Sequence, residues 1–295
     1  MKPVVIALPG NEKLASSLAK GLDGEIGAAD FAAFPDGETY VRIPNPVAGK
    51  RIIMAASLDR PNGKFLPLMF AAETAKDLGA AQVGLVAPYL SYMRQDRRFK
   101  EGEGVTSAYF ATAISRSFDW LVTVDPHLHR RKSLSEIYPI PASVLHAASL
   151  ISSWIRDHVG KPLLIGPDQE SEQWVSAVAS DAGASFVVLS KTRRGPHDVE
   201  VSVPDVDIWA DHTPVLVDDI ISTARTMIET IGHLKRAKMR PPVCVGVHGV
   251  FADDAFAHLK SAGATQIATC NTIDHPSNAI NVMPLITEEV AALLK

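Results

Sequence analysis

The stretch Val215 to Met227, V-L-V-D-D-I-I-S-T-A-R-T-M, decides how the chain is read. Val215, Leu216 and Val217 form a short apolar run, which predicts a buried strand. Asp218 and Asp219 follow, so two carboxylates stand at the strand's end. Ser222, Thr223 and Thr226 come next. Met227, Ile231 and Leu234 then lie at i, i+4 and i+7, the spacing of one helical face. A loop between a strand and a helix N-terminus suits an anion, because the first-turn N–H groups lack intrahelical acceptors and the helix dipole is positive there. Paired carboxylates can take two sugar hydroxyls or hold Mg²⁺. An ordinary strand end with a Ser/Thr helix cap uses the same residue types.

Outward from this stretch, short apolar runs alternate with longer amphipathic ones. Strands are predicted at 4–8, 52–56, 83–87, 121–124, 163–165, 186–189, 215–217, 243–247 and 266–270, with helices near 12–20, 66–78, 106–117, 144–158, 170–182, 226–238 and 253–262. Such alternation argues for an α/β protein with mostly parallel sheets flanked by helices. Strands end in small or polar residues in both halves, at Ala87-Pro88 and Asp125-Pro126 and again at Gly166-Pro167-Asp168 and Asp218-Asp219. This coarse duplication predicts two similar domains, residues 1–143 and 144–295, with Pro139 and Pro141 stiffening the junction.

The 295 residues are 46% hydrophobic, enough for substantial cores. A net charge of −4 gives no general drive toward nucleic acid. The apolar run at the N-terminus is too short for a signal peptide, and no stretch reads as a membrane span. Cys244 and Cys270 lie in apolar runs outside any C-x-x-C, which reads as buried thiols in a reducing cytoplasm.

Six other segments carry polar groups at element ends. Phe34 to Arg42, F-P-D-G-E-T-Y-V-R, has a Pro-Asp-Gly turn and then alternates as an edge strand. Pro88 to Arg98 places Arg94, Gln95, Asp96, Arg97 and Arg98 directly after a buried strand, offering planar donors to phosphates. Val122 to Arg130 ends a strand in Asp125 and His127, where a hydrogen-bonding His is as natural as a metal ligand. Asp168 suits a helix N-cap. Ser190 to Pro196, S-K-T-R-R-G-P, is a basic loop after a strand, and His248 stands at the end of another.

The Val215–Met227 stretch resembles the phosphoribosyl-pyrophosphate (PRPP) motif of type I phosphoribosyltransferases and PRPP synthetases. In that family the two acids take the ribose hydroxyls and the loop takes the 5-phosphate. Ala224 and Arg225 stand where the family usually has glycines. The Arg94–Gln95 run and the Lys191-x-Arg193 pair resemble segments of PRPP synthetases that simple transferases lack. Together the motifs follow the synthetase order from Phe34 to Phe251, nearly the whole chain.

The resemblance implies a ribose-phosphate diphosphokinase of the phosphoribosyltransferase fold, turning ATP and ribose 5-phosphate into PRPP and AMP. It implies ATP binding by Phe34, Asp36, Gly37, Glu38, Arg94, Gln95, Asp96 and His248. Ribose 5-phosphate would be held by Asp218, Asp219, Ser222, Thr223, Ala224, Arg225 and Thr226. Lys191 and Arg193 would be catalytic. Mg²⁺ would be met by His127, Asp125 and Asp168, with His129 as the alternative imidazole. A homodimer or homohexamer is implied, with neither nucleic acid nor membrane as partner. A PRPP-using transferase and a non-catalytic relative of the synthetases are the rival readings.

Overall fold

The structure, a computed structural model, describes residues 2–128, 130–166, 172–193, 199–202 and 206–295. It divides into two compact units. One runs to Leu145 and takes back Met283–Lys295; the other is His146–Val282.

In the first unit, β1 (Val4–Ala7), β2 (Glu25–Gly27), β5 (Arg51–Ala55), β6 (Gln82–Val86), β7 (Trp120–Val124) and β8 (Ala142–Leu145) form one parallel sheet. Its order is β2-β1-β5-β6-β7-β8. Helices α1 (Glu12–Gly21), α2 (Asn62–Asp77) and α3 (Thr106–Ser117) make the crossovers. Between β2 and β5 the chain inserts an antiparallel hairpin, β3 (Asp30–Ala33) and β4 (Thr39–Arg42). Buried aliphatics such as Ile6, Ile52, Leu68, Leu85 and Leu121 make the core.

The second unit repeats this plan. Its sheet runs β10 (Ser185–Val188), β9 (Pro162–Gly166), β13 (Thr213–Ile221), β14 (Val243–Gly249), β15 (Gln266–Cys270) and β16 (Asn278–Ile280), again all parallel. Helices α4 (Ala148–His158), α5 (Glu172–Ala182), α6 (Arg225–Arg236) and α7 (Ala255–Ala262) accompany it. A second hairpin, β11 (Ser190–Arg193) and β12 (Val199–Ser202), again falls between the second and third strands of the sheet. Met227, Ile231 and Leu234 are buried on one face of α6, as their spacing predicts. Lys235 and Arg236 in the last turn of α6 complement its negative end.

Three local expectations change. The helix predicted from 144 begins at Ala148, because Ala142–Leu145 instead pairs with β7. Pro139 and Pro141 bias the residues before them toward extended backbone, and the open edge of β7 supplies the ladder. Helix α2 begins at Asn62 rather than 66, running through Gly63 and Pro67. Burial of Leu68, Ala71, Ala72 and Ala75 outweighs those two helix breakers. The last helix, α8 (Met283–Leu293), was absent from the sequence reading and packs on the first unit. There Ser143 Oγ donates to Glu289 Oε1 at 2.6 Å, and Arg51 donates to the Leu294 carbonyl.

Candidate active site

Strand β13 is longer than its apolar run. It continues through Asp218 and Asp219 to Ile221, because β14 offers partners as far as Gly249: Asp218 pairs Gly246, Ile220 pairs His248 and Ile221 pairs Gly249. The two carboxylates therefore lie within the strand, not beyond it. Successive side chains leave opposite faces of a strand; Asp218 borders a shallow hollow that Ile165, Leu216, Thr226 and Thr230 also line. Both acids are half-buried. Asp218 Oδ1 accepts the Asp219 N–H at 3.0 Å, which orients it. Gly246 lets β14 come close here: a Cβ would lie 2.7 Å from the Ile221 side chain.

The loop then turns into α6 at Ala224, whose backbone is left-handed (φ 56°, ψ 10°). That conformation is the one the family's glycine would adopt freely, and it costs an alanine roughly 1 kcal/mol. Arg225 is already helical, and Thr223, Arg225 and Thr226 are exposed. The N-cap residue Ala224 makes no side-chain cap, and the first turn of α6, whose N–H groups lack intrahelical acceptors, begins beside two exposed threonines. The turn after β14 braces the loop. Phe251 N donates to Ile221 O at 3.0 Å and Ala252 N to Ser222 O at 3.1 Å. Phe251 in turn packs against His275 with tilted rings, centroids 4.5 Å apart; burial holds that imidazole below its ordinary pKa.

His248 lies inside β14 and is 1% exposed. Thr272 Oγ donates to the Val247 carbonyl (3.0 Å), so its single proton is committed. It must then accept from His248 Nδ1–H at 2.9 Å.

In the first unit Phe34, Asp36, Gly37 and Glu38 form the β3–β4 turn. Gly37 has φ 92°, Gly37 N donates to Phe34 O, and Phe34 N donates to Glu38 O, both at 2.8 Å. Asp36 Oδ1 accepts Glu38 N–H at 3.2 Å. The Phe34 ring is 50% exposed, with Tyr40 edge-on at 6.0 Å. Arg94 is exposed and Gln95 half-buried on the loop after β6. Asp96 turns inward and meets Arg130. Asp125 leaves β7 with φ 35°, its N–H bonded to Leu145 O at 2.9 Å, and His127 follows half-buried.

A profile described as the N-terminal domain of ribose phosphate pyrophosphokinase matches residues 3–117, and a phosphoribosyl transferase domain profile matches residues 133–285. The chain belongs to the ribose-phosphate pyrophosphokinase family. The pyrophosphokinase of Methanosarcina mazei is 33% identical, covering 97% of this chain and 95% of its own length. That of Methanothermobacter thermautotrophicus is 32% identical over 97% of this chain and 99% of itself. The crystal structure of phosphoribosylpyrophosphate synthetase from Mycobacterium smegmatis shares the fold, with a TM-score of 0.87, 23% identity, and 100% and 99% of the two chains covered.

Within that family frame, Lys191 and Arg193 lie on β11, opposite Val201 and Val199. Asp168 and His129 fall outside the described residues. Among the described residues no group of three or more His, Cys, Asp or Glu could hold a metal alone. One carboxylate and one imidazole on the β7 loop fit Mg²⁺ that arrives on a triphosphate, since this ion keeps waters and phosphate oxygens rather than an all-protein cage. Sequence reasoning missed the brace from Phe251 and Ala252 and the Thr272 partner of His248. The brace is made by main-chain atoms, which leave no mark in residue identity. No helix among the described residues is long and apolar enough to cross a membrane.

Proposed function

We propose that the chain transfers the pyrophosphoryl group of MgATP to the 1-hydroxyl of ribose 5-phosphate. The sugar oxygen attacks the β-phosphorus, the bond to the α-phosphate oxygen breaks, and AMP leaves with PRPP as the other product; the hydroxyl proton is released. The observation that carries this reading is the β13–α6 connection. It joins two half-buried carboxylates to an uncapped helix start flanked by exposed hydroxyls. Asp218 and Asp219 take the ribose hydroxyls, and residues 222–226 take the 5-phosphate through N–H and O–H donors.

On the nucleotide side, Phe34 offers an exposed ring face, Asp36 and Glu38 offer acceptors for an amino group, and Arg94 and Gln95 offer donors. His248 borders the nucleotide in the same reading. Lys191 and Arg193 stabilise charge on the transferring group, which is the main demand of in-line phosphoryl chemistry. Mg²⁺ supplies charge neutralisation on the phosphate oxygens, with Asp125, His127 and Asp168 as its protein side. The working form is proposed to be a cytoplasmic homodimer or homohexamer, a setting consistent with thiols that stay reduced; burial lifts the Cys244 thiol to about 12.

The deciding assay is AMP release from ATP. It is expected only when ribose 5-phosphate and Mg²⁺ are both present. AMP release without the sugar, or none with it, removes the proposal. PRPP consumption with a free base would favour a transferase instead.

A further inference from the structure

We infer that Asp96 is a positioning residue, whose buried carboxylate clamps the loop after β6 to the loop after β7 through Arg130. The inference deepens the ATP-using reading above and rests on it. The Asp96 side chain is 3% exposed, although its neighbours Arg94, Arg97 and Arg98 all face solvent. Both of its oxygens accept from Arg130 Nη1, at 3.2 and 3.4 Å. Arg131 reaches the same place, donating from Nη2 to the Asp96 carbonyl and to Ser107 Oγ, each at 3.3 Å. Ser107, fully buried in the first turn of α3, donates its own N–H to the Gln95 carbonyl at 3.3 Å. Arg130 also lies over the Phe99 ring, 5.3 Å from its centroid, and Arg97 lies 4.8 Å from the same ring.

Gln95 and Asp96 are thus tied to α3 through their backbone, and to Arg130 and Arg131 through side chains. The loop carrying His127 is pinned at both ends, by Asp125 N–H on Leu145 O and by the two arginines. These bonds link the segment of Arg94 and Gln95 to the segment of Asp125 and His127. A carboxylate already buried against a guanidinium is a poor receptor for an incoming adenine amino group. Exposed Asp36 and Glu38 are better placed for that. Exposed ion pairs contribute little, but a buried acid stripped of its cation is left uncompensated and drives its loop to rearrange. The clamp's effect is therefore expected on alignment of the nucleotide, not on the sugar.

The test uses the full chain, titrated with MgATP and separately with ribose 5-phosphate, in wild type, Arg130→Gln, Asp96→Asn and the double variant. Arg130→Gln changes a partly exposed residue and keeps the fold testable if Asp96→Asn does not express. Each single variant is expected to raise the MgATP Kd about tenfold, and the double variant to rise little further, because both break one interaction. The ribose 5-phosphate Kd is expected to stay unchanged. Amide exchange over 94–98 and 125–131 is expected to quicken in Arg130→Gln. An MgATP effect in Asp96→Asn alone overturns the inference and makes Asp96 a nucleotide contact. Unchanged MgATP affinity in Arg130→Gln with unchanged exchange overturns the clamp itself. A wild type that binds no MgATP sinks the proposed function and the positioning role together; exchange coupled through Arg130 then shows that the clamp exists without that role.

Discussion

The two units place a loop at the same topological point, after the third strand of the sheet, and treat it in opposite ways. In the second unit β13 runs nine residues, carries Asp218 and Asp219, and opens into an exposed, uncapped start of α6. In the first unit β5 stops after five residues, and the chain folds its own cation into the turn. Lys64 Nζ bonds to Ser57 O at 2.9 Å and to Asp59 Oδ1 at 2.6 Å, with Asp59 only 13% exposed. Ser57 N–H is taken by Asn11 Oδ1 at 2.7 Å. One scaffold therefore carries a loop closed by an internal lysine and a loop whose helix start is exposed. The difference lies in a few side chains and four extra residues of strand, while the sheet order is the same.

The strongest way to break this contrast lies in the paired hairpins. If β11–β12 carries the charge-stabilising groups and β3–β4 the base-stacking ring, Lys191→Ala or Arg193→Ala should lower kcat by a factor of about 100 with a smaller change in KM. Steady-state kinetics decide it, and a change in KM alone would reduce both residues to binding roles. Packing gives the next effect. Gly84 and Gly246 occupy the fourth strand of their sheets, but a Cβ on Gly84 would lie 2.0 Å from the Trp120 indole, against 2.7 Å from Ile221 for Gly246. Gly84→Ala should cost about 3 kcal/mol and Gly246→Ala about 1–2 kcal/mol in urea unfolding. The reverse order would mean that the indole moves aside more easily than the β13 brace. Phe34→Ala should weaken MgATP by about 1–2 kcal/mol and leave ribose 5-phosphate untouched, as titration can measure.

Two smaller effects sharpen the loop comparison directly. Lys64→Met should destabilise the chain by about 1 kcal/mol by removing the bonds to Ser57 O and Asp59 Oδ1, leaving Asp59 only the longer Arg60 pair at 3.6 Å. It should not create a second ribose 5-phosphate site, because the first unit lacks the paired acids; a stoichiometry of two by calorimetry would show that the closed loop is a latent site. Ala224→Gly should stabilise by roughly 0.5–1 kcal/mol through relief of the left-handed backbone, seen as a small rise in Tm. A loss of stability there would mean that the alanine methyl contributes more by its burial than its φ costs.

Much of the site was legible because its chemistry is local. Asp218 and Asp219, the hydroxyls of Ser222, Thr223 and Thr226, and the Met227–Ile231–Leu234 face are all contiguous, so spacing alone places them on one strand–loop–helix unit. The Pro35-Asp36-Gly37 turn was readable for the same reason, since a glycine at φ 92° is a local requirement. The duplication was visible as strands ending in small or polar residues, and the conserved strand order then gave it a physical form.

What only the tertiary structure decided depends on partners distant in sequence. The length of β13 is set by β14, whose ladder carries it past the two acids. Ala142–Leu145 became a strand because β7 offered an edge, and Met283–Leu293 became part of the first unit by packing against β7, β8 and α1. The inward turn of Asp96 was settled by Arg130, thirty-four residues away. In each case the local residue types allow more than one state, and the free energy that selects one comes from a ladder, a core face or a buried charge that no single stretch contains.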